Sequence, residues 1–253
     1  MMWWVPVAIA HGLPPLPRAG EIPELRWYAQ VDEEDGRLAG RWRRRRDGEH
    51  ELSVLADGLV VRWRHTQGPV VVDRQRDAAG RPLVTVRWDA GVPAVVTPHG
   101  LADQDLQVTG WGWVALPGGG AAWLPAGATT SDARASGPLL GGQWAAERAP
   151  RTDPWAPAFA EGLLDGCACA LFDRGTVWID GQPAARHAVL VAPGATLPDQ
   201  APPDLVEVWA LPRADHLLVL TWRAPAPPDP LAASLRARAL PALVDLDPAG
   251  GGP

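Results

Sequence analysis

Residues 37–96 read RLAGRWRRRRDGEHELSVLADGLVVRWRHTQGPVVVDRQRDAAGRPLVTVRWDAGVPAVV. The dipeptide Arg-Trp recurs at Arg41-Trp42, Arg62-Trp63 and Arg87-Trp88, and once more upstream at Arg26-Trp27. Around each copy apolar and polar residues alternate, the period of a strand with one buried face. Turn signals separate the runs at Asp47-Gly48, Asp57-Gly58, Gln67-Gly68, Ala79-Gly80 and Ala90-Gly91. Short loops between alternating runs make neighbouring strands antiparallel. The spacing predicts strands over 24–31, 37–46, 49–56, 59–66, 69–76, 82–89, 92–97, 105–115 and 120–125. Together they form an antiparallel β meander over 24–125, as a half-barrel or a sandwich. The dipeptides are expected to turn Trp27, Trp42, Trp63 and Trp88 inward and the adjoining Arg outward.

The strand end Arg41–Arg46 is charged on both faces beyond Trp42. It must project past the core or lie at an edge, where charge guards against edge-to-edge pairing. From Asp35 to Ala90 there are twelve Arg against eight acids, a local +4, whereas Arg151 to the C-terminus has seven Arg against twelve acids, −5. Helix-turn-helix and zinc-finger signatures are missing and the whole chain is at −6, so no nucleic acid is expected. Mutual attraction of the two halves is an expectation that fits the asymmetry at least as well. All 23 basic residues are Arg, and the aromatic content is 14 Trp against 1 Tyr and 2 Phe. Trp therefore fills the space that Phe and Tyr share elsewhere.

The second half differs. Residues 126–152 are rich in Gly, Ala, Ser and Pro and weakly patterned, which predicts a linker or crossing loop. Asp153-Pro154 is a helix-opening pair, with Trp155, Phe159 and Leu163 forming a stripe and Gly166 a stop. Strands follow at Cys167–Phe172 and Thr176–Ile179, joined by a hairpin at Asp173-Arg174-Gly175. Further strands are expected at Ala184–Val191, Leu205–Leu211 and His216–Trp222. A second helix opens at Asp229-Pro230. Residues 153–247 thus read as an α+β, helix–strands–helix unit, and 248–253 as a disordered tail. Cys167 and Cys169 are the only cysteines and are expected to act as small buried hydrophobes.

Residues 77–83 (DAAGRPL) resemble the core of one YD/RHS-type repeat, a strand-turn-strand module, without its Tyr and without a repeat at fixed period. The helix–strands–helix order is similar to the PsbP-like α+β sandwich, a fold that hosts unrelated roles. The all-β half followed by helices is similar to the half-barrel lipoprotein carriers of the periplasm.

Met1–Ala10 (MMWWVPVAIA) is apolar and ends in Ala-Ile-Ala, the ending of a secretory signal peptide. Cleavage there would leave His11 at the head of a Pro-rich leader, 11–23, and would place the chain in the periplasm or outside the cell, with the cytoplasm as the alternative. No run of 18 apolar residues exists, so no transmembrane segment is expected. An N-terminal His offers an amine and an imidazole to copper, which makes His11 a metal-ligand candidate, with His65 or His99 as its partner.

Catalytic signatures such as G-x-S-x-G, H-E-x-x-H and a phosphate loop are lacking, and the four Ser have no matched His-Asp frame. No cofactor is expected. An enzyme of unrecognised type, with His and acids assembled by the fold, is the alternative to a non-enzymatic exported binding protein. For the latter the candidate surface is Trp111 and Trp113, two residues apart on one strand, with Trp123 from the next. A Trp offers a flat apolar face and one N–H donor, suited to a small apolar or sugar-like ligand or to a protein partner. The Gly/Ala-rich crossing 126–152 is expected to lie over that surface as a flap.

Overall fold

The computed structural model describes residues 30–34, 37–46, 49–56, 59–76, 81–100, 104–156, 159–163, 169–180, 182–192 and 203–246; side chains are described from Thr66 onward, apart from residues 160, 161, 169 and 172. The first eight strands are β1 Gln30–Glu34, β2 Arg37–Arg46, β3 Glu49–Ala56, β4 Leu59–Gln67, β5 Val70–Arg76, β6 Pro82–Asp89, β7 Val92–Pro98 and β8 Leu106–Gln107. They pair in chain order as one antiparallel sheet. The alternating runs and Gly turns thus become an antiparallel meander, which ends at Gln107 instead of 125 because the following two strands enter another sheet. Tight turns with positive φ at Gly68 and at Ala90-Gly91 set the hairpins in its described half. The described pairing of β1 reaches only Arg41, and the β2–β3 register sets Arg44 opposite Glu51 and Arg46 opposite Glu49.

Only part of the Arg-Trp expectation holds. Trp88 is buried at 5%, while the Arg87 side chain is 54% exposed. On β4 the backbone register is out of step with that pattern. Trp63 lies opposite Arg74, and Arg74 opposite Thr85, so β4 maps onto β6 at an offset of 22 residues. Trp63 and Trp88 are 25 apart, an odd difference from that offset, and therefore fall on opposite faces. Arg62 and Arg64 stand opposite the buried Gln75 and Asp73 instead. Loop lengths between the strands, not the dipeptide, decide the facing. Trp42 shares a row with Ser53 and Trp63, and Trp27 lies outside the described residues.

Three short strands form a second sheet: β9 Gly112–Ala115, β10 Ala121–Leu124 and β18 Val244–Asp245, with β10 in the middle. The stretch expected as a single strand over 105–115 is broken into β8 and β9 by a turn around Thr109-Gly110.

The third sheet holds seven strands: β11 Thr129–Thr130, β12 Arg134–Leu139, β13 Gly142–Ala149, β14 Cys169–Ile179, β15 Gln182–Val191, β16 Asp204–Pro212 and β17 Leu217–Ala224, in the order β11-β12-β13-β17-β16-β15-β14. This corrects the reading of 126–152 as a linker, crossing loop or flap, because β12 and β13 are core strands. Their small residues make room for tryptophans. A Cβ on Gly137 would sit 3.1 Å from Trp144 Nε1, and one on Gly142 would sit 2.9 Å from the Trp222 ring and 2.3 Å from Arg223 O. The expected hairpin at Asp173-Arg174-Gly175 is also corrected. β14 runs through it with a bulge between Leu171 and Asp173, and the chain turns at Asp180, φ +45°.

Helices are short. Asp153 accepts from Trp155 N at 3.0 Å and starts a turn, but α1 forms only at Phe159–Leu163. Phe159 and Leu163 pack on the outer face of the seven-stranded sheet, over Val206, Val208, Ala210, Leu217 and Val219. Trp155 is left 41% exposed, its indole donating to Thr176 Oγ1 at 3.2 Å. The second opening pair behaves as expected: Asp229 caps α2, Pro230–Ala237, accepting from Ala232 N at 3.0 Å. A further turn, α3 Ala239–Ala242, leads into β18.

Two cores flank the small sheet. On one side Trp144, Trp209, Trp222, Leu205, Leu218 and Leu220 of the seven-stranded sheet meet Ala122, Leu124, Leu240, Val244 and Leu246. On the other, Val71, Val84, Val86, Trp88 and Val96 of the meander meet Trp123, Ala239, Ala242 and Leu243. β10 alternates between them and is buried throughout. The fold is thus mostly antiparallel β, a meander followed by a helix–strands–helix segment of four strands.

Truncating Trp88 to Ala should cost about 3–5 kcal/mol, and Gly142→Ala about 1–3 kcal/mol through overpacking. Arg87→Ala should cost under about 1 kcal/mol. Urea melts of the three variants order them; equal losses for Trp88 and Arg87 would contradict the facing of β6.

Candidate functional site

The three candidate tryptophans are brought close, in different environments. Trp113 of β9 lies directly opposite Trp123 of β10. Their rings meet edge to face at 5.3 Å between centroids, 71° apart. Trp123 is buried at 7% exposure and donates its indole N–H to Val108 O at 3.0 Å. Trp88 approaches Trp113 from the meander at 6.2 Å, tilted by 30°. Trp113 itself stays 40% exposed. Trp111 precedes β9 in the turn that its N–H closes onto Val108 O at 3.3 Å, and its half-buried ring packs against both cores. The expected platform therefore reduces to one exposed ring, Trp113, propped by two buried ones, with Trp111 at its flank. Trp88 belongs to this cluster. Its sequence signal was the Arg-Trp dipeptide, which placed it in the meander and said nothing of Trp113.

The turn between β9 and β10 is Gly118–Gly120, with φ of +85°, +104° and +90°. A side chain at Gly118 would meet His216 Nε2 at 2.3 Å. His216 Nδ1 faces Asp215 Oδ1 at 2.6 Å, and Arg148 donates to the other Asp215 oxygen at 3.1 Å. The hydrogen bond from His216, then the nearby charges of His216 and Arg148, hold the Asp215 carboxyl below its usual range. An acid-oriented imidazole is the arrangement of a general base. Here the far nitrogen is buried beside Gly118, without a hydrogen-bond partner among the described residues.

A second polar cluster lies in the interior, where α2 meets the seven-stranded sheet. Arg186 of β15 donates from Nε and Nη2 to the two oxygens of Glu207 on β16, both at 2.9 Å. Nη2 also reaches Ser234 Oγ of α2 at 2.9 Å, and Nη1 reaches Asp173 Oδ2 at 2.8 Å. The Ser234 hydroxyl donates to Glu207 Oε1. Glu207 is 0% and Arg186 5% exposed. Burial pushes the Glu207 carboxyl up, with Arg186 and Ser234 opposing it. Burial works against the Arg186 charge, yet Glu207 and Asp173 raise its pKa overall. The cluster reaches the surface at Asp173, whose side chain is 53% exposed, and acts as a clasp between helix and sheet. Its sequence signal was a charged residue inside each of two largely apolar strands, at Arg186 and Glu207.

Of the histidines considered for copper, His11 lies outside the described residues and His65 is placed by its backbone alone, in β4. His99 faces Thr85 Oγ1 at 2.8 Å; burial, then Arg74, lower its pKa against the pull of Asp105. His187 Nε2 donates to Pro154 O at 2.7 Å. Among the described residues no three His, Cys, Asp or Glu side chains gather to hold a metal ion. Cys167 lies outside the described residues and Cys169 opens β14.

Removing one partner of the buried clasp should cost about 3–5 kcal/mol, as in Glu207→Leu, because Arg186 is then left in the interior without it. The double variant Arg186→Met/Glu207→Leu should cost well under the sum of the two singles. Additivity within about 0.5 kcal/mol in urea melts would show that the pair is not coupled.

Comparison with known protein families, with curated proteins and with solved structures found no match to this chain.

Proposed function

We propose that this chain is a non-enzymatic, exported binding protein that captures an apolar or sugar-like ligand, or a partner protein presenting such a group, on Trp113. One observation carries the reading: Trp113 is 40% exposed while its ring is held by Trp88 and Trp123. Most large aromatic rings bury themselves when packing allows. A ring fixed on two sides and open on a third presents apolar area at little cost in rotamer entropy. The neighbours of Trp113 keep the approach low. Gly110 and Gly112 flank it, and a Cβ built at either meets nothing within 4 Å.

Acid–base chemistry would look first to Asp215–His216, where the far nitrogen is buried beside Gly118. That observation favours binding over catalysis. Export rests on the Ala8-Ile9-Ala10 ending and remains part of the proposal, as does a minor copper-binding role for His11 after cleavage. No helix among the described residues is long and apolar enough to cross a membrane.

Trp113→Ala should lower the acrylamide-quenchable part of the indole emission, to which the equally exposed Trp155 also contributes, and abolish saturable binding of cellopentaose or of an apolar naphthalene dye. Its Tm should stay within a few degrees of the parent, since an exposed ring contributes little to stability. A variant that unfolds, or one that binds both probes as the parent does, would sink the assignment. N-terminal sequencing from the native host tests export: a chain beginning at His11 supports it, and an intact Met1 removes both export and the copper role.

A further inference from the structure

Among the described residues the outer face of the seven-stranded sheet is only partly covered. α1 lies over β16 and β17, and beside it the sheet opens into a concavity of ≈460 Å3. Its floor is a single cross-strand row, Ser136 on β12, Ala145 on β13, Thr221 on β17 and Val208 on β16. Three of these four are small, and the rows on either side are long. Arg134 stands opposite Glu147 in one, and Gln143 opposite Arg223 in the other. The depression follows from that size pattern. Val206 and Val208 lie beneath α1, 3% and 0% exposed, and Leu163 makes the apolar edge of the concavity.

The charges are not equivalent. Arg223 is occupied by Asp204, with Nε donating to Oδ2 at 2.8 Å. Arg134 and Glu147 are direct cross-strand neighbours of opposite sign, yet no ion pair joins them, and neither side chain has an ionic partner among the described residues. Both line the concavity. A cation and a carboxylate held one strand apart, each with its ion-binding capacity unused, suit a ligand carrying the opposite pair of charges at a similar separation. Arg presents a planar fork to a carboxylate, and Glu accepts from an ammonium group. The hydroxyls of Ser136 and Thr221 lie next, and Leu163 beyond them suits a short hydrocarbon side chain. The volume falls within the range of small-molecule sites.

We propose that this concavity binds a small apolar dipeptide with free termini, its carboxylate on Arg134, its ammonium on Glu147 and a side chain against Leu163. The site is built from other elements than the Trp113 surface and does not depend on it.

Isothermal titration calorimetry of the full chain with leucyl-leucine tests this. Saturable binding is expected, at least tenfold weaker for Arg134→Gln and for Glu147→Gln, and unchanged for Trp113→Ala. On the parent protein, leucyl-leucine acetylated at its amine and amidated at its carboxyl should bind at least tenfold more weakly than the free dipeptide, a comparison that needs no variant to fold. Absence of saturable heat with the free dipeptide would overturn the proposal. So would equal binding of the capped form, or loss of binding with Trp113→Ala, which would move the ligand to the aromatic surface.

Discussion

Residues 239–246 hold the molecule together by facing two ways. Leu240, Val244 and Leu246 enter the core of the seven-stranded sheet, while Ala239, Ala242 and Leu243 enter the core under the meander. The segment also fixes the small sheet: Val244 pairs with Ala122 on β10, and Trp123 N donates to Leu243 O at 2.9 Å. A stretch of eight residues thus serves two apolar surfaces that the two large sheets cannot bury against water. Each buried leucine among them is worth about 1.5–3 kcal/mol by area alone. The Arg186–Glu207–Ser234 clasp sets the approach of α2, so the segment that follows arrives between the cores in register.

This central layer explains why Trp113 is available. β10 is buried on both faces, with Ala122 and Leu124 toward one core and Trp123 toward the other. β9 is its outer neighbour, and its residues alternate between half-buried and exposed. Trp113 sits at the rim of the meander core, close enough for Trp88 and Trp123 to hold it and too far out to be covered. Rigid support and partial exposure come from the same packing. Arg186 and Glu207 join β15 to β16 and, through Ser234, to α2, and Arg148 ties Asp215 to β13.

The meander was legible because its signals are local. Gly turns at short intervals and period-2 alternation placed β2, β3 and β6 at their observed bounds. The cap at Asp229 was legible for the same reason. Facing was not, since the parity of Trp63 against Trp88 depends on two hairpin offsets that no dipeptide encodes. β12 and β13 were hidden by Gly137 and Gly142, whose missing side chains read as a linker but serve Trp144 and Trp222 on neighbouring positions. Asp173-Arg174-Gly175 carried turn chemistry into the middle of β14, where a bulge lets Asp173 reach Arg186. Trp111, Trp113 and Trp123 were found as a group from their spacing. Which of them stays exposed depends on Trp88, which arrives from another sheet.

Native-state hydrogen exchange at the Trp123 amide tests the role of residues 239–246 most directly. That N–H is bonded to Leu243 O between the two cores, so it should exchange only with global unfolding, at the rate of core amides in β16 and β17. Exchange many-fold faster than those amides, independent of denaturant, would mean that the segment opens locally and that the two large sheets stand without it.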